Sequence, residues 1–201
     1  MKEGRMVRIR RQMLLWHLAK YAYSYKPEDF ALTSGFFSKE YIDCRQPLSA
    51  GFALHIVGLI FSDMLKEDVR AVGGLETGAY PIAIATALVG TPGNPINWFG
   101  VRKDNKGHGM KKLIEGYVPK GTKVAIVDDV ATTGGSTIEA IRKSRLWGLQ
   151  VVQVIVLVDR QEGGLQRIEK EVGPTIPVSA IFTKREIREE WEKLQANEVQ
   201  V

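Results

Sequence analysis

Two carboxylates stand side by side at Asp128 and Asp129, between the apolar run Val124-Ala-Ile-Val127 and the small, hydroxyl-bearing stretch Val130-Ala-Thr-Thr-Gly-Gly-Ser136. Adjacent carboxylates at the end of a buried strand are costly to desolvate unless they meet water, a cation or hydroxyl donors such as those of a ribose. Behind them, Thr132, Thr133, Gly134, Gly135 and Ser136 offer backbone N–H groups and hydroxyls without bulky side chains, which suits a closely held phosphate. Ser136 and Thr137 are expected to cap a helix reaching about Trp147, and a helix N-terminus favours an anion further. Strand, acidic pair, loop and helix start together make a site for a phosphate next to a sugar or a metal ion. An aspartate that merely capped the loop would leave those hydroxyls and glycines unexplained.

Three other segments carry groups of chemical interest. Gly73-Gly-Leu-Glu-Thr-Gly78 is a glycine-bearing loop after a short apolar stretch, and Asp159-Arg160 closes a second apolar run, Val151–Val158. Arg102-Lys-Asp-Asn-Lys-Gly-His-Gly-Met-Lys-Lys112 has no apolar periodicity and reads as a long exposed loop, which by itself is an ordinary solvated segment. Several common chemistries are excluded or weakened. There is no G-x-x-x-x-G-K-[ST], no H-E-x-x-H and no G-x-S-x-G, and residues 73–78 do not match G-x-G-x-x-G. Histidines occur only at positions 17, 55 and 108, too few for a histidine-rich metal site. Cys44 is the single cysteine, which rules out an intramolecular disulfide or a cysteine-based zinc site and points to a reducing compartment.

The elements that must position these groups follow from periodicity. Residues 6–23 place Met6, Ile9, Met13, Leu14, Trp16 and Leu18 at helical spacing, with Arg5, Arg8, Arg10 and Arg11 expected on a solvated face. Residues 30–45 read as a hairpin turning at Ser34-Gly35, and 49–66 as an apolar helix. From Val69 the pattern alternates: strands near 69–72, 96–101, 124–127, 151–158 and 176–182, with helices near 81–89, 136–147, 165–172 and from Lys184. This predicts an α/β fold with a mostly parallel central sheet covered by helices on both faces, and a ligand site beyond the carboxyl ends of the strands. Those ends carry Gly-Gly, Asp-Asp and Asp-Arg. The 201 residues, 44% hydrophobic and 25% charged, suit one globular domain. A net charge of +5 fits a nucleic-acid binder or an enzyme for polyanionic small molecules. No secretory signal is evident, and the apolar stretch 50–61 is too short for a membrane span, so a cytoplasmic location is expected.

The stretch 124–136 resembles the phosphoribosyl pyrophosphate (PRPP) motif of the type I phosphoribosyltransferases. Within that group, Ser34-Gly-Phe-Phe-Ser-Lys-Glu-Tyr-Ile-Asp43, Arg102-Lys-Asp-Asn-Lys-Gly-His-Gly109 and Asp159-Arg-Gln-Glu-Gly-Gly164 are similar to segments of the orotate phosphoribosyltransferases, in the same order and spacing. The resemblance covers nearly the whole chain. It implies one domain, with residues 1–48 as an N-terminal helix and base-binding hood and 49–201 as the α/β core. It also implies transfer of a phosphoribosyl group from PRPP to orotate with Mg²⁺, giving orotidine 5′-monophosphate and pyrophosphate on the route to UMP. Asp128 and Asp129 would bind the ribose hydroxyls, with Asp129 counted among the catalytic residues and any contact to Mg²⁺ made through water. Val130, Ala131, Thr132, Thr133, Gly134, Gly135 and Ser136 would cradle the 5′-phosphate. Thr132 and Arg160 would bind orotate against a wall of Tyr41 and Ile42, and 74–78 would touch pyrophosphate. Arg102, Lys103, Lys106 and His108 would hold PRPP, with Lys103 and Lys106 aimed at the leaving group. In the family this loop reaches the neighbouring active site, which implies a homodimer, with no role for membrane or nucleic acid.

The chain departs from the family pattern in three places. Thr33 and Gly78 stand where some members have lysine, and Met110-Lys111-Lys112 adds positive charge where acidic and glycine residues are usual. Two alternatives follow: the same transfer to another base, or a PRPP-sensing regulator that binds nucleic acid through its basic N-terminal helix. Arg160 discriminates against a neutral base, and Lys103, Lys106 and His108 favour catalysis.

Overall fold

The apolar run Val124–Val127 is fully buried, as a central strand covered on both faces must be. The computed structural model describes residues 2–31, 37–90, 95–103 and 113–198. Along the chain these form α1 (Lys2–Tyr21), β1 (Tyr23–Ala31), β2 (Phe37–Ile42), a 3-10 turn (Pro47–Ser49), α2 (Gly51–Met64), β3 (Ala71–Leu75), α3 (Ala79–Leu88), β4 (Asn97–Val101), β5 (Ile114–Glu115), β6 (Lys123–Ala131), α4 (Gly135–Trp147), β7 (Gln150–Asp159), α5 (Gly164–Val172), β8 (Val178–Thr183) and α6 (Lys184–Glu198). Six strands make one sheet in the order β5-β4-β3-β6-β7-β8. All its pairings are parallel except that of β4 with β5.

Period-two alternation in the central strands divides the core between the two faces. Val127, Ile155 and Leu157 pack with α1, α2, α3 and α6, while Val124, Ile126, Val154 and Val156 pack with α4 and α5. A second, two-stranded sheet pairs β1 and β2 antiparallel, with Tyr23 opposite Ile42 and Tyr25 opposite Glu40. The expected hairpin is therefore present but starts at Tyr23 rather than Phe30, since its first strand pairs back towards the end of α1, and its Ser34-Gly35 turn lies outside the described residues. The hairpin is tied down where it leaves the core, because Asp43 N–H donates to the Ala22 carbonyl at 3.0 Å.

Three local readings need correction. The arginines of α1 are not all solvated. Arg10 pairs with Asp63 at 3.0 Å, and Arg11 bonds Glu186 and the Ile181 carbonyl while lying over the Phe182 ring, so α1 is fastened to α2, β8 and α6. Conversely, Met6, Ile9, Met13 and Trp16 remain exposed, and the buried face of α1 is made by Leu14, Leu15 and Leu18. Gly73 and Gly74 belong to β3 rather than to the following loop. Their neighbours approach too closely for a side chain: a β-carbon on Gly73 would stand 2.3 Å from the Phe99 carbonyl oxygen, and one on Gly74 only 2.1 Å from that of Val127.

The obstacle at Gly74 is backbone, so no rotamer change relieves it. Gly74→Ala is expected to lower stability by about 2 kcal/mol or more, read as a lower urea midpoint without a change in slope.

Candidate functional site

β6 does not stop at its apolar run. It continues to pair with β7 through the acidic residues, Asp128 opposite Val156, Val130 opposite Val158 and Ala131 opposite Asp159. The two aspartates are thus residues of the strand, fixed by its ladder rather than carried on a loop. Asp128 is only 4% exposed, and its carboxylate accepts from the Thr137 hydroxyl at 2.6 Å and from the Asp129 N–H at 3.1 Å. Asp129 is partly buried and accepts from the Val130 N–H at 2.9 Å. Burial, and then the neighbouring Asp129 charge, push the Asp128 carboxyl up to about 7; burial also raises Asp129. A site that holds two carboxylates in this way has the electrostatics of one built to receive a cation or hydroxyl donors.

The glycines around the pair explain how a ligand comes close. A β-carbon on Gly78 would lie 2.4 Å from Asp129 Oδ1, so a side chain there would evict the carboxylate. Gly134 adopts a left-handed conformation (φ 75°) and is the N-cap of α4. This corrects the expectation that Ser136 and Thr137 cap the helix: no side chain caps it, and Thr137 turns its hydroxyl to Asp128 instead. The loop is buttressed from α5, where a β-carbon on Gly164 would stand 2.7 Å from the Thr132 carbonyl oxygen.

These groups line one cavity of about 490 Å³ at the carboxyl ends of β3, β6 and β7. It brings together Asp128, Asp129, Val130, Thr132, Thr133, Gly134, Gly135, Ser136, Lys103, Arg160, Tyr41 and Ile42, drawn from four separate stretches of sequence. Ala131 is not among the lining residues, since its side chain is buried in the core between the sheet and α4. Arg102 does not line it either; its guanidinium pairs with Glu115 at 2.9 Å. Lys106 and His108 lie outside the described residues. Arg160 is 4% exposed and follows directly on β7, held by its N–H to the Ala131 carbonyl at 3.0 Å. Its Nη2 lies 3.2 Å from Glu162 and 3.4 Å from the Glu40 carbonyl, while its buried Nε has no partner among the described residues. Glu40 itself takes a hydrogen bond from Tyr23 at 2.6 Å and ion pairs from Lys184 and Arg188 at 3.4 and 3.8 Å, which join the hairpin to α6.

Asp43, Arg45 and Thr137, which sequence reasoning did not single out as ligand-facing, also line the cavity, together with Glu76, Thr77 and Gly78 of the expected 74–78 loop. Arg45 grips Asp43 with two hydrogen bonds, at 2.9 and 2.7 Å, and holds that carboxyl below its ordinary value. Among the described residues no cluster of three or more His, Cys, Asp and Glu could hold a metal, and none of their helices is long and apolar enough to cross a membrane.

An anion-cradling loop, an acidic pair in the strand before it and a hairpin hood over a parallel sheet define a type I phosphoribosyltransferase. Solved structures agree. The orotate phosphoribosyltransferase of Aeropyrum pernix superposes with a TM-score of 0.70 at 34% identity, covering 89% of this chain and 98% of that one. That of Mycobacterium tuberculosis, in complex with 5-phospho-alpha-D-ribosyl 1-diphosphate (PRPP), gives 0.69 at 27% identity, covering 89% and 91%. In sequence the chain is 42% identical over 160 residues to the orotate phosphoribosyltransferase of Aquifex aeolicus, spanning 79% of this chain and 86% of that protein. It is 39% identical over 173 residues to that of Nostoc, spanning 85% and 82%. No protein-family model matches. The chain belongs to the orotate phosphoribosyltransferase family.

Because the folded carboxyl of Asp128 titrates above its unfolded value of 3.8, the native state of the ligand-free protein binds the extra proton between about pH 4 and 7. Stability from this group is therefore present at low pH and lost as pH rises through about 7. Asp128→Asn is expected to make the ligand-free protein more stable at pH 8, on the order of a few kcal/mol, with the difference closing towards pH 4. Denaturant melts across that range check it.

Proposed function

We propose that the chain transfers the 5-phosphoribosyl group of PRPP to orotate, forming orotidine 5′-monophosphate and releasing pyrophosphate. The observation that carries this is one cavity joining an acid pair, a phosphate-sized loop and a buried arginine beneath a hairpin hood. The loop from Thr132 to Ser136 and the start of α4 receive the 5′-phosphate, because the first N–H groups of a helix lack intrahelical partners. Asp128 and Asp129 take the ribose hydroxyls as acceptors. A ring nitrogen of orotate forms the new bond to the anomeric carbon as the bond to pyrophosphate breaks, and the nitrogen's proton is released. Cationic character at that carbon in the transition state is favoured by the nearby carboxylates, and charge growing on pyrophosphate by cations aimed at it.

Lys103 already lines the cavity of its own chain. We assign Lys106, His108 and Arg102 to the same task, delivered to the neighbouring site of a homodimer. The donor set fits Mg²⁺: two adjacent carboxylates raised chiefly by burial, with oxygen ligands only, match an ion that keeps much of its water and is shared with substrate phosphates. Asp128 and Asp129 would hold it through water, and when bound it would neutralise charge on the pyrophosphate. Tyr41 and Ile42 form a wall for the pyrimidine, and Arg160 takes the orotate carboxylate, since its planar fork matches two oxygens.

The test is an acceptor panel with PRPP and Mg²⁺: loss of orotate absorbance is expected, with uracil and purines inert. Turnover of another base without orotate would overturn the assignment. Arg160→Lys, which keeps the charge but not the fork, is expected to lower kcat/KM for orotate by about 10²-fold at an unchanged melting temperature. Lys106→Ala is expected to reduce kcat by at least about tenfold, measured at saturating PRPP.

A further inference from the structure

Lys143 lies on α4, two turns beyond the phosphate loop, and is not itself among the residues that line the cavity. Its ammonium nevertheless spends all three N–H groups on partners at hydrogen-bond distance. It donates to the Arg102 carbonyl at 2.6 Å, the Lys103 carbonyl at 2.5 Å and Glu139 Oε1 at 2.6 Å. Carbonyls of consecutive residues in extended backbone point in opposite directions, so two that converge on one ammonium mark a bend. That bend falls just where β4 ends and Lys103 comes to line the cavity.

The same peptide is held from the other side. The Lys103 N–H donates to Glu76 Oε1 at 2.7 Å, and the Glu76 N–H to the Val101 carbonyl at 2.8 Å. Glu76 belongs to the 76–78 loop, which also lines the cavity and brings Gly78 against Asp129. Lys103 is therefore gripped between the helix that carries the phosphate loop and the loop that faces the acid pair. Lys143 is 21% exposed, and its ion pair to Glu139, one turn earlier, orients its stem towards the two carbonyls.

We propose that Lys143 is a positioning residue for phosphoribosyl transfer, one that sets the bend at 102–103 and so aims Lys103 at the departing pyrophosphate. It touches neither substrate and acts through Lys103. The inference rests on the reaction proposed above, and the experiment separates the two.

The wild type, Lys143→Met, Lys143→Arg, Lys103→Ala and the Lys103→Ala/Lys143→Met double variant are assayed with PRPP, orotate and Mg²⁺, alongside thermal melts. Lys143→Met is expected to lower kcat/KM for PRPP by about 10- to 100-fold, the scale of a small misplacement of a catalytic group. The KM for orotate should stay within about twofold. Lys143→Arg, which still reaches both carbonyls as a donor, recovers most of the loss. In the Lys103→Ala background Lys143→Met should cost nothing further, because the group it positions is gone. A wild type inactive on orotate would overturn the reaction, and the same cycle run with the base that is used then decides the role of Lys143 by the same outcomes. With an active wild type, unchanged kcat/KM for PRPP in Lys143→Met, or losses that multiply in the double variant, would overturn the positioning role. If Lys143→Met does not fold, Lys143→Gln takes its place in the same cycle and is judged by the same two outcomes.

Discussion

Two negative charges are held together in a place where water cannot fully reach them, and much of the architecture serves to make that tolerable until a ligand arrives. Asp128 is anchored by the Thr137 hydroxyl and by the backbone of its own strand, and Asp129 lies over the bare backbone of Gly78. Neither has a cation within its hydrogen-bond set among the described residues. The energetic tension appears as carboxyl groups that hold protons above the usual range. A ligand that brings hydroxyl donors and a hydrated cation relieves it, so part of its binding energy comes from a strain built by β6 and its neighbours.

Close backbone approach is the second constraint, and the glycines mark where it operates. Gly73 and Gly74 let β3 sit against β4 and β6, Gly78 clears Asp129, and Gly164 admits the phosphate loop against α5. The result is a cavity with walls largely of backbone and short side chains. Its cationic side chains are contributed one at a time from well-separated segments: Arg45 just after β2, Lys103 after β4, Arg160 after β7. Each is held by a partner that fixes its direction, Asp43 for the first and Glu162 for the last.

How much of this could be read from the chain depended on whether neighbours in sequence or neighbours in space decide the outcome. Buried parallel strands are continuous apolar runs, and so β6 and β7 were legible, as were the helix between them and the α/β class. The extension of β6 through Asp128 and Asp129 was not, because hydrophobicity stops while hydrogen bonding to β7 goes on. Gly73 and Gly74 looked like a loop because glycine has no side-chain signature of its own, and only the distances to Phe99 and Val127 reveal its function. Thr137 looked like a cap because its partner is nine residues earlier and reached only through the fold. β5, with two residues, carries no periodicity at all. Lys143 is one charge among several on α4, and nothing local distinguishes it from Arg142, which pairs with Glu171.

The hood has a further property that follows from who supports it. Glu40 on β2 is braced by Lys184 and Arg188, so the hairpin that brings Tyr41 and Ile42 to the cavity is held by residues roughly three-quarters of the chain away. During synthesis the hairpin emerges early, yet this part of its bracing does not exist until α6 has been made and has docked. The hairpin wall of the cavity is therefore among the last parts the growing chain secures, after the loop between β6 and α4 can already have formed. A nascent protein can pass through a stage in which the acidic pair and its loop are in place while the hairpin wall beside them is still unbraced.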